Sequence, residues 1–211
     1  MTDEVVFYYN PMSRARTIHW MLEEVGVPYR IELVNLQKSE QKLPAFLAIN
    51  PMGKLPTVTH RGVAITETGA IVTYLADAFP AAKLAPQLDE PARGTYLRWM
   101  FFVAGCVDPG LIDKMLERPV PDRVVALGYG RVEDLINTME KAITPGPYIL
   151  GEHFSAVDLY MCAQIGFGLM VKSIEPRPTF QAYLQRCTAR PAYQRYMQQT
   201  DAQMAKLKAA G

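Results

Sequence analysis

Asn50-Pro51-Met52-Gly53-Lys54-Leu55-Pro56-Thr57-Val58, followed nine residues later by Glu67-Thr68, is the stretch whose reading decides the fold. Proline lacks the N–H that a sheet ladder needs, so Pro56 directly before the β-type run Thr57-Val58-Thr59-His60 marks a turn at a strand entrance. With a cis Leu55–Pro56 bond, Leu55 would turn its backbone N–H and C=O outward, where an extended peptide can pair with them. Glu67-Thr68 opens an apolar-periodic segment, and the free N–H groups of a helix start attract a carboxylate. Backbone pairing beside an anion pocket suits a small acidic peptide.

Outward from this stretch, the preceding residues alternate strand and helix signals. Val5-Val6-Phe7-Tyr8-Tyr9 is β-branched and aromatic and is broken by Asn10-Pro11. After Ser13, the apolar residues Ile18, Met21, Leu22 and Val25 recur at helical spacing, and Gly26 supplies the C-cap. Tyr29–Val34 alternates polar and apolar residues, and a helical stretch runs through Phe46 and Leu47. Thr57–His60, the turn Arg61-Gly62 and Val63-Ala64-Ile65 form a hairpin, and residues 67–79 a helix ending before Pro80. The predicted order is βαβαββα within residues 1–80.

From Ala81 to Pro91 the chain turns rich in Pro, Gln, Asp and Glu, a linker over 81–91. No strand pattern follows. Residues 92–118, 122–143, 156–172, 178–189 and 192–208 carry helical periodicity, so 92–211 reads as an all-helical domain. Ser155-Ala156-Val157-Asp158 is a capping box with Phe154 and Leu159 as its hydrophobic staple. Asp158 is expected to act as a cap whose loss costs stability of about 0.5–2 kcal/mol.

Bulk properties narrow the function. The chain has 211 residues with net charge +1, which invites neither nucleic acid nor an anionic membrane. The acidic start Met1-Thr2-Asp3-Glu4 is not a signal peptide, and the uncharged run Leu159–Val171 is too short to span a bilayer. A cytoplasmic location is expected. Three scattered cysteines without a Cys-x-x-Cys argue against a disulfide framework or a metal site. Residues 1–105 contain no cysteine, so chemistry in that half uses another group or a thiol carried by the ligand.

The strand ending at Tyr9, Ser13-Arg14-Ala15-Arg16 through Trp20-Met21-Leu22-Glu23-Glu24, the Asn50–Pro56 string, Glu67-Thr68 and the Ser155–Asp158 box together resemble the glutathione S-transferases, over nearly the whole chain. The resemblance implies a thioredoxin-like α/β domain that binds glutathione as co-substrate, and an all-α helical-bundle domain that supplies a pocket for a hydrophobic electrophile. It also implies a homodimer and no metal. By the family's pattern, Leu55 beside Pro56 pairs with the cysteinyl backbone, Glu67 and Thr68 hold the γ-glutamyl end, and Lys54 and Lys42 face the glycyl carboxylate. The family more often has Glu-Ser or Gln-Ser where Glu67-Thr68 stands, and Thr keeps the hydroxyl.

The reaction needs a thiolate, and a free thiol has a pKa of about 8.5. A hydrogen bond to the charged form contributes roughly 1.5–3 kcal/mol, one to two pKa units. Such a donor must sit just after the first strand. Ser13, Asn10 and Tyr9 qualify, in that order: Ser13 stands at the helix start, where N-capping is the competing role, Asn10 aligns with the activating serine of some classes, and Tyr9 fits the tyrosine classes less well. Arg14 and Arg16 face the same end but equally suit surface ion pairs. Trp99-Met100-Phe101-Phe102 with Met115 reads as helix-packing core before it reads as pocket lining. His19, His60 and His153 read as structural or solvated. Disulfide exchange is disfavoured because no cysteine stands in Asn10-Pro11-Met12-Ser13, an isomerase of the maleylacetoacetate type is disfavoured for want of its Ser-Ser-Cys loop, and glutathione-dependent peroxide reduction stays open. The alternative from another class is a non-catalytic module of the same fold that binds glutathione or apolar ligands or mediates assembly.

Overall fold

The computed structural model describes residues 3–210. Strand β1 (Val5–Tyr9) pairs in parallel with β2 (Tyr29–Leu33) through helix α1 (Arg16–Val25) and antiparallel with β3 (Thr57–His60), which pairs antiparallel with β4 (Val63–Thr66). The mixed sheet has the order β2-β1-β3-β4. Short α2 (Pro44–Leu47) precedes β3, and α3 (Thr68–Ala78) follows β4. This is the thioredoxin-like order expected from the sequence.

Each element follows from its residues. Helix α1 buries Ile18, Met21, Leu22 and Val25 and stops where Gly26 adopts φ 72 and its N–H donates to the Leu22 carbonyl. The β3–β4 turn places Arg61 and Gly62 at φ 52 and 78, the doubly left-handed pair that matches the twist of a two-residue hairpin. Phe7 and Val58 of the sheet, Ile18 and Met21 of α1, and Ile71, Val72 and Leu75 of α3 are all closed to solvent. Each such side chain contributes about 1.5–3 kcal/mol of burial.

Beyond the linker the described elements are helical: α4 (Ala92–Phe102), a five-residue π-turn (Val103–Val107), α5 (Asp108–Met115), α6 (Val132–Ile143), α7 (Ala156–Met170), α8 (Pro178–Thr188) and α9 (Pro191–Ala210). The helix expected over 122–143 begins only at Val132. Pro119 and Pro121 lack donors and Gly128 and Gly130 disfavour helix, so 119–131 holds only a short 3-10 turn at Val124–Ala126. No described helix is long and apolar enough to cross a membrane.

The chain forms two compact units. One joins the residues up to Ala82 with α9, and the other spans Lys83–Arg190. The expected helical domain of 92–211 and this division part company at α9, which carries no local signal for its partner yet packs on α1. Trp20 of α1 meets Tyr193 edge-on with ring centroids 4.9 Å apart and stacks with Tyr196 at 6.3 Å.

In the second unit, α7 is buried nearly all round and begins at the predicted capping box. Asp158 does more than cap. With no exposed surface, its carboxylate accepts from Ile149 N–H (2.7 Å), Ser155 N–H (2.9 Å), the Ser155 hydroxyl (2.7 Å) and the Tyr183 hydroxyl (2.7 Å). It ties the loop before α7 and helix α8 to one buried anion.

Candidate functional site

The sheet register gathers the candidate residues. Tyr9 is the last residue of β1, and its neighbour Tyr8 pairs with Thr57, the first residue of β3. Thr57 pairs in turn with Thr66, the last residue of β4. Asn10, the Leu55–Pro56 step and Glu67 each lie one or two residues beyond these pairs, so three chain segments emerge at one end of the sheet.

Asn50 and Thr57 build the loop between α2 and β3. Buried Asn50 donates through Nδ2 to the Lys54 carbonyl (2.9 Å) and to Thr57 Oγ1 (3.0 Å), and its Oδ1 accepts Met52 N–H (3.1 Å). Thr57 donates to the same Lys54 carbonyl at 3.1 Å. Gly53 sits at φ 58, and a Cβ there would lie 2.6 Å from the Gln41 carbonyl oxygen. Only glycine fits this close approach without strain. The functional candidates read from sequence do not include Asn50, Gly53 or Thr57. An Asn directly before Pro, followed by Gly, is the turn signal that points to the first two.

This scaffold presents Leu55. The Leu55–Pro56 bond is cis, Leu55 is half-buried, and neither its N–H nor its C=O has a partner among the described residues. Lys42 Nζ donates to the Met52 carbonyl at 2.9 Å, while the exposed Lys54 ammonium has no partner among the described residues.

Glu67 joins β4 to α3 at φ 64 and ψ 122, a left-handed position that costs a non-glycine residue about 1–3 kcal/mol. Its carbonyl accepts the N–H of Ile71 at 2.9 Å, and no side chain caps the helix. The N–H groups at Thr68, Gly69 and Ala70 precede the first helical bond, so they are donors at a positive dipole end. Exposed Glu67 and half-buried Thr68 flank them.

The three donor candidates have different surroundings. Tyr9 is fully buried and its hydroxyl lies 3.1 Å from Thr200 Oγ1 of α9. Burial raises its pKa. Asn10 is buried and already committed: Nδ2 donates to the Val34 carbonyl (2.8 Å) and Oδ1 accepts Met12 N–H (2.9 Å). Ser13 is half-buried; its oxygen accepts Ala15 N–H at 3.2 Å and its proton goes to the Asn10 carbonyl at 2.7 Å. Capping through the oxygen and donating through the proton are compatible, so the two roles do not compete. Helix α1 begins three residues later with its dipole directed at this turn.

Other sequence candidates have structural partners. His60 is buried, with Nδ1 2.9 Å from the Tyr74 hydroxyl, and His19 lies inside the α1–α9 packing, while His153 is exposed. Arg16 reaches Met197 Sδ at 3.3 Å. Trp99 and Met100 are buried, whereas Phe101 is 72% exposed. Among the described residues no group of three His, Cys, Asp or Glu side chains could hold a metal ion.

Comparison with known proteins agrees with this geometry. Residues 4–77 match the family "Glutathione S-transferase, N-terminal domain". The chain is 26% identical over 183 residues to glutathione S-transferase GstA of Escherichia coli O157:H7, covering 85% of this chain and 90% of the relative. It is 28% identical over 163 residues to disulfide-bond oxidoreductase YfcG of Escherichia coli K12, covering 72% and 74%. A glutathione transferase family member from Pseudomonas fluorescens, solved with two glutathione molecules bound, superposes with TM-score 0.75 at 27% identity over 92% of each chain. A cis-proline step, a left-handed Glu67 and a mixed four-stranded sheet thus coincide with the match of residues 4–77 to the N-terminal domain of the glutathione S-transferases, and similarity to proteins of that name extends over most of the chain.

Proposed function

We propose that the protein is a glutathione transferase that binds glutathione at the end of the sheet, stabilises its thiolate and directs it at an electrophilic carbon of a hydrophobic small molecule. The observation that carries this reading is the convergence of an unpaired Leu55 backbone with the uncapped N-terminus of α3 at a left-handed Glu67. The cysteinyl backbone pairs with Leu55. The γ-glutamyl carboxylate takes the Thr68 N–H and hydroxyl, and its ammonium takes the Glu67 carboxylate. Lys54, joined by Lys42 from its place on Met52, meets the glycyl carboxylate.

Ser13 is the proposed activating donor. Its proton turns from the Asn10 carbonyl to the ligand sulfur while its oxygen keeps the Ala15 N–H, and the α1 dipole adds to the effect. Asn10 ranks second because both ends of its amide already hold the backbone. Tyr9 ranks third because its hydroxyl is buried against Thr200. The nucleophile comes from the ligand, and the protein contributes position and a lowered thiol pKa. A cytoplasmic homodimer completes the proposal.

A relative named as a disulfide-bond oxidoreductase favours a second reading. The bound glutathione thiolate would attack a disulfide substrate and expel one thiolate, and a second glutathione would then resolve the mixed disulfide, releasing oxidised glutathione. This route needs no protein cysteine.

The test is the thiolate absorbance of glutathione titrated with pH, with and without saturating protein, followed by turnover of an aromatic halide and of a small disulfide. A bound thiol pKa one to two units below the free value supports activation. Binding without a shift moves the reading to the non-catalytic module of the same fold, and no binding overturns both.

A further inference from the structure

Helix α9 is held to α1, β1 and β2 by a chain of hydrogen bonds centred on His19, a residue the thiol chemistry does not use. Gln199 Nε2 donates to Glu23 Oε1 at 3.1 Å, and a carboxylate only accepts, so the Gln199 oxygen faces His19. That oxygen lies 2.7 Å from His19 Nε2, so Nε2 carries the proton. Nδ1 is then the bare nitrogen, and Thr200 Oγ1 donates to it at 3.3 Å. The Thr200 oxygen in turn accepts the Tyr9 hydroxyl at 3.1 Å. The Tyr29 hydroxyl donates to Glu23 Oε1 at 2.7 Å and sits 3.1 Å from His19 Nε2, while Arg195 closes the far end on Glu23 Oε2 at 2.8 Å.

With the imidazole neutral, every donor in this chain has an acceptor without a hydroxyl having to turn. A second proton on Nδ1 meets the Thr200 hydroxyl from the donor side and forces it to turn, and it places a charge away from water among Tyr9, Tyr29 and Tyr196, whose ring centroids lie 5.1, 6.0 and 5.7 Å from the imidazole in edge-on arrangements. His19 has no exposed surface. The titratable and charged groups facing it are Tyr9 on β1, Tyr29 on β2, Arg16 and Glu23 on α1, and Tyr196 and Arg195 on α9.

We propose that His19 is a proton-operated latch: neutral, it holds α9 on α1 and β1, and protonated, it lets α9 go. Burial lowers the His19 pKa, opposed by the Gln199 hydrogen bond and the Glu23 charge and helped by Arg16, so the docked state refuses the proton that the released state accepts. A depressed histidine stabilises docking above its ordinary pKa, and the stabilisation fades as pH falls through that value. Since α1 begins beside Ser13, release would also loosen the thiol-activating turn; that consequence rests on the proposed function, whereas the latch does not.

The experiment is amide hydrogen exchange of α9 between pH 7.5 and 5, corrected for intrinsic exchange and run without glutathione, so it fails or succeeds independently of the transferase reading. Opening of α9 should rise up to tenfold per pH unit below about 6.5. His19→Gln keeps a donor and an acceptor without a titrating proton and should stay protected across the range. Equal acid-driven opening in wild type and His19→Gln, or none in wild type, overturns the proposal. Should His19→Gln fail to dock α9 at neutral pH, the wild-type imidazole resonance decides. Protonation coincident with α9 release supports the latch, and protonation while α9 stays protected overturns it.

Discussion

The Ser13 hydroxyl proton is given to the carbonyl oxygen of Asn10 at 2.7 Å, so the two leading donor candidates are partners of one another. Redirecting that proton to a sulfur breaks one hydrogen bond and leaves the Ala15 N–H on the Ser13 oxygen. Ser13→Ala should raise the pKa of bound glutathione by one to two units and lower kcat/KM about 10- to 100-fold, with KM for glutathione little changed. Asn10→Ala should instead destabilise the fold by about 1–3 kcal/mol, since the Val34 carbonyl and Met12 N–H lose their partner. A thiol pKa that follows Asn10 rather than Ser13 would reverse the assignment.

Glu67 pairs a proposed ligand role with a strained backbone. Glu67→Gly relieves φ 64 and should raise thermal stability by about 1 kcal/mol while weakening glutathione binding. Calorimetric unfolding with and without glutathione reads both effects; a variant that loses stability and keeps affinity would contradict the assignment.

At Gly53, alanine adds a Cβ 2.6 Å from the Gln41 carbonyl at a left-handed φ. The loop that presents Leu55 must shift. Gly53→Ala should raise KM for glutathione more than it lowers kcat, a split that steady-state kinetics resolves.

Asp158→Ala strands three buried donors and the part-buried Ile149 N–H. The expected loss is about 3–5 kcal/mol, above that of a missing cap alone. Urea unfolding measures it, and glutathione's thiol pKa in the surviving folded fraction should stay at the wild-type value.

Burial alone would raise the pKa of Glu23, but the hydrogen bonds from Tyr29, Arg195 and Gln199 outweigh it and hold the carboxylate below its ordinary value. A depressed carboxylate contributes stability that is present above about pH 4.3 and lost as pH falls through its folded value. Glu23→Gln should therefore lower stability at pH 7 and flatten the acid limb of the stability curve below pH 4.

Much of the fold is legible because local pattern and global structure agree. Val5–Tyr9 is β-rich, Gly26 needs a left-handed φ, and Arg61-Gly62 closes a two-residue turn. Where proline and glycine interrupt a helical run, as at 119–131, periodicity alone overextends it. Tyr9 shows what stays hidden at the site: alternation tells that Tyr8 and Tyr9 face opposite ways, but not which side α9 covers. The partnership of His19 with Thr200 spans 181 residues, and no local signal reports it. Asn50 and Gly53 are visible as a turn, while their hold on Lys54 and Gln41 emerges only from distances.

The placement of α9 reaches back to how the molecule is made. Helix α9 completes the unit that contains β1, with Lys83–Arg190 inserted between. During synthesis α1 therefore waits, with Trp20 and His19 uncovered, until α9 follows it, while the inserted unit has its helices beforehand. The unit proposed to bind glutathione begins before the inserted unit and is completed after it.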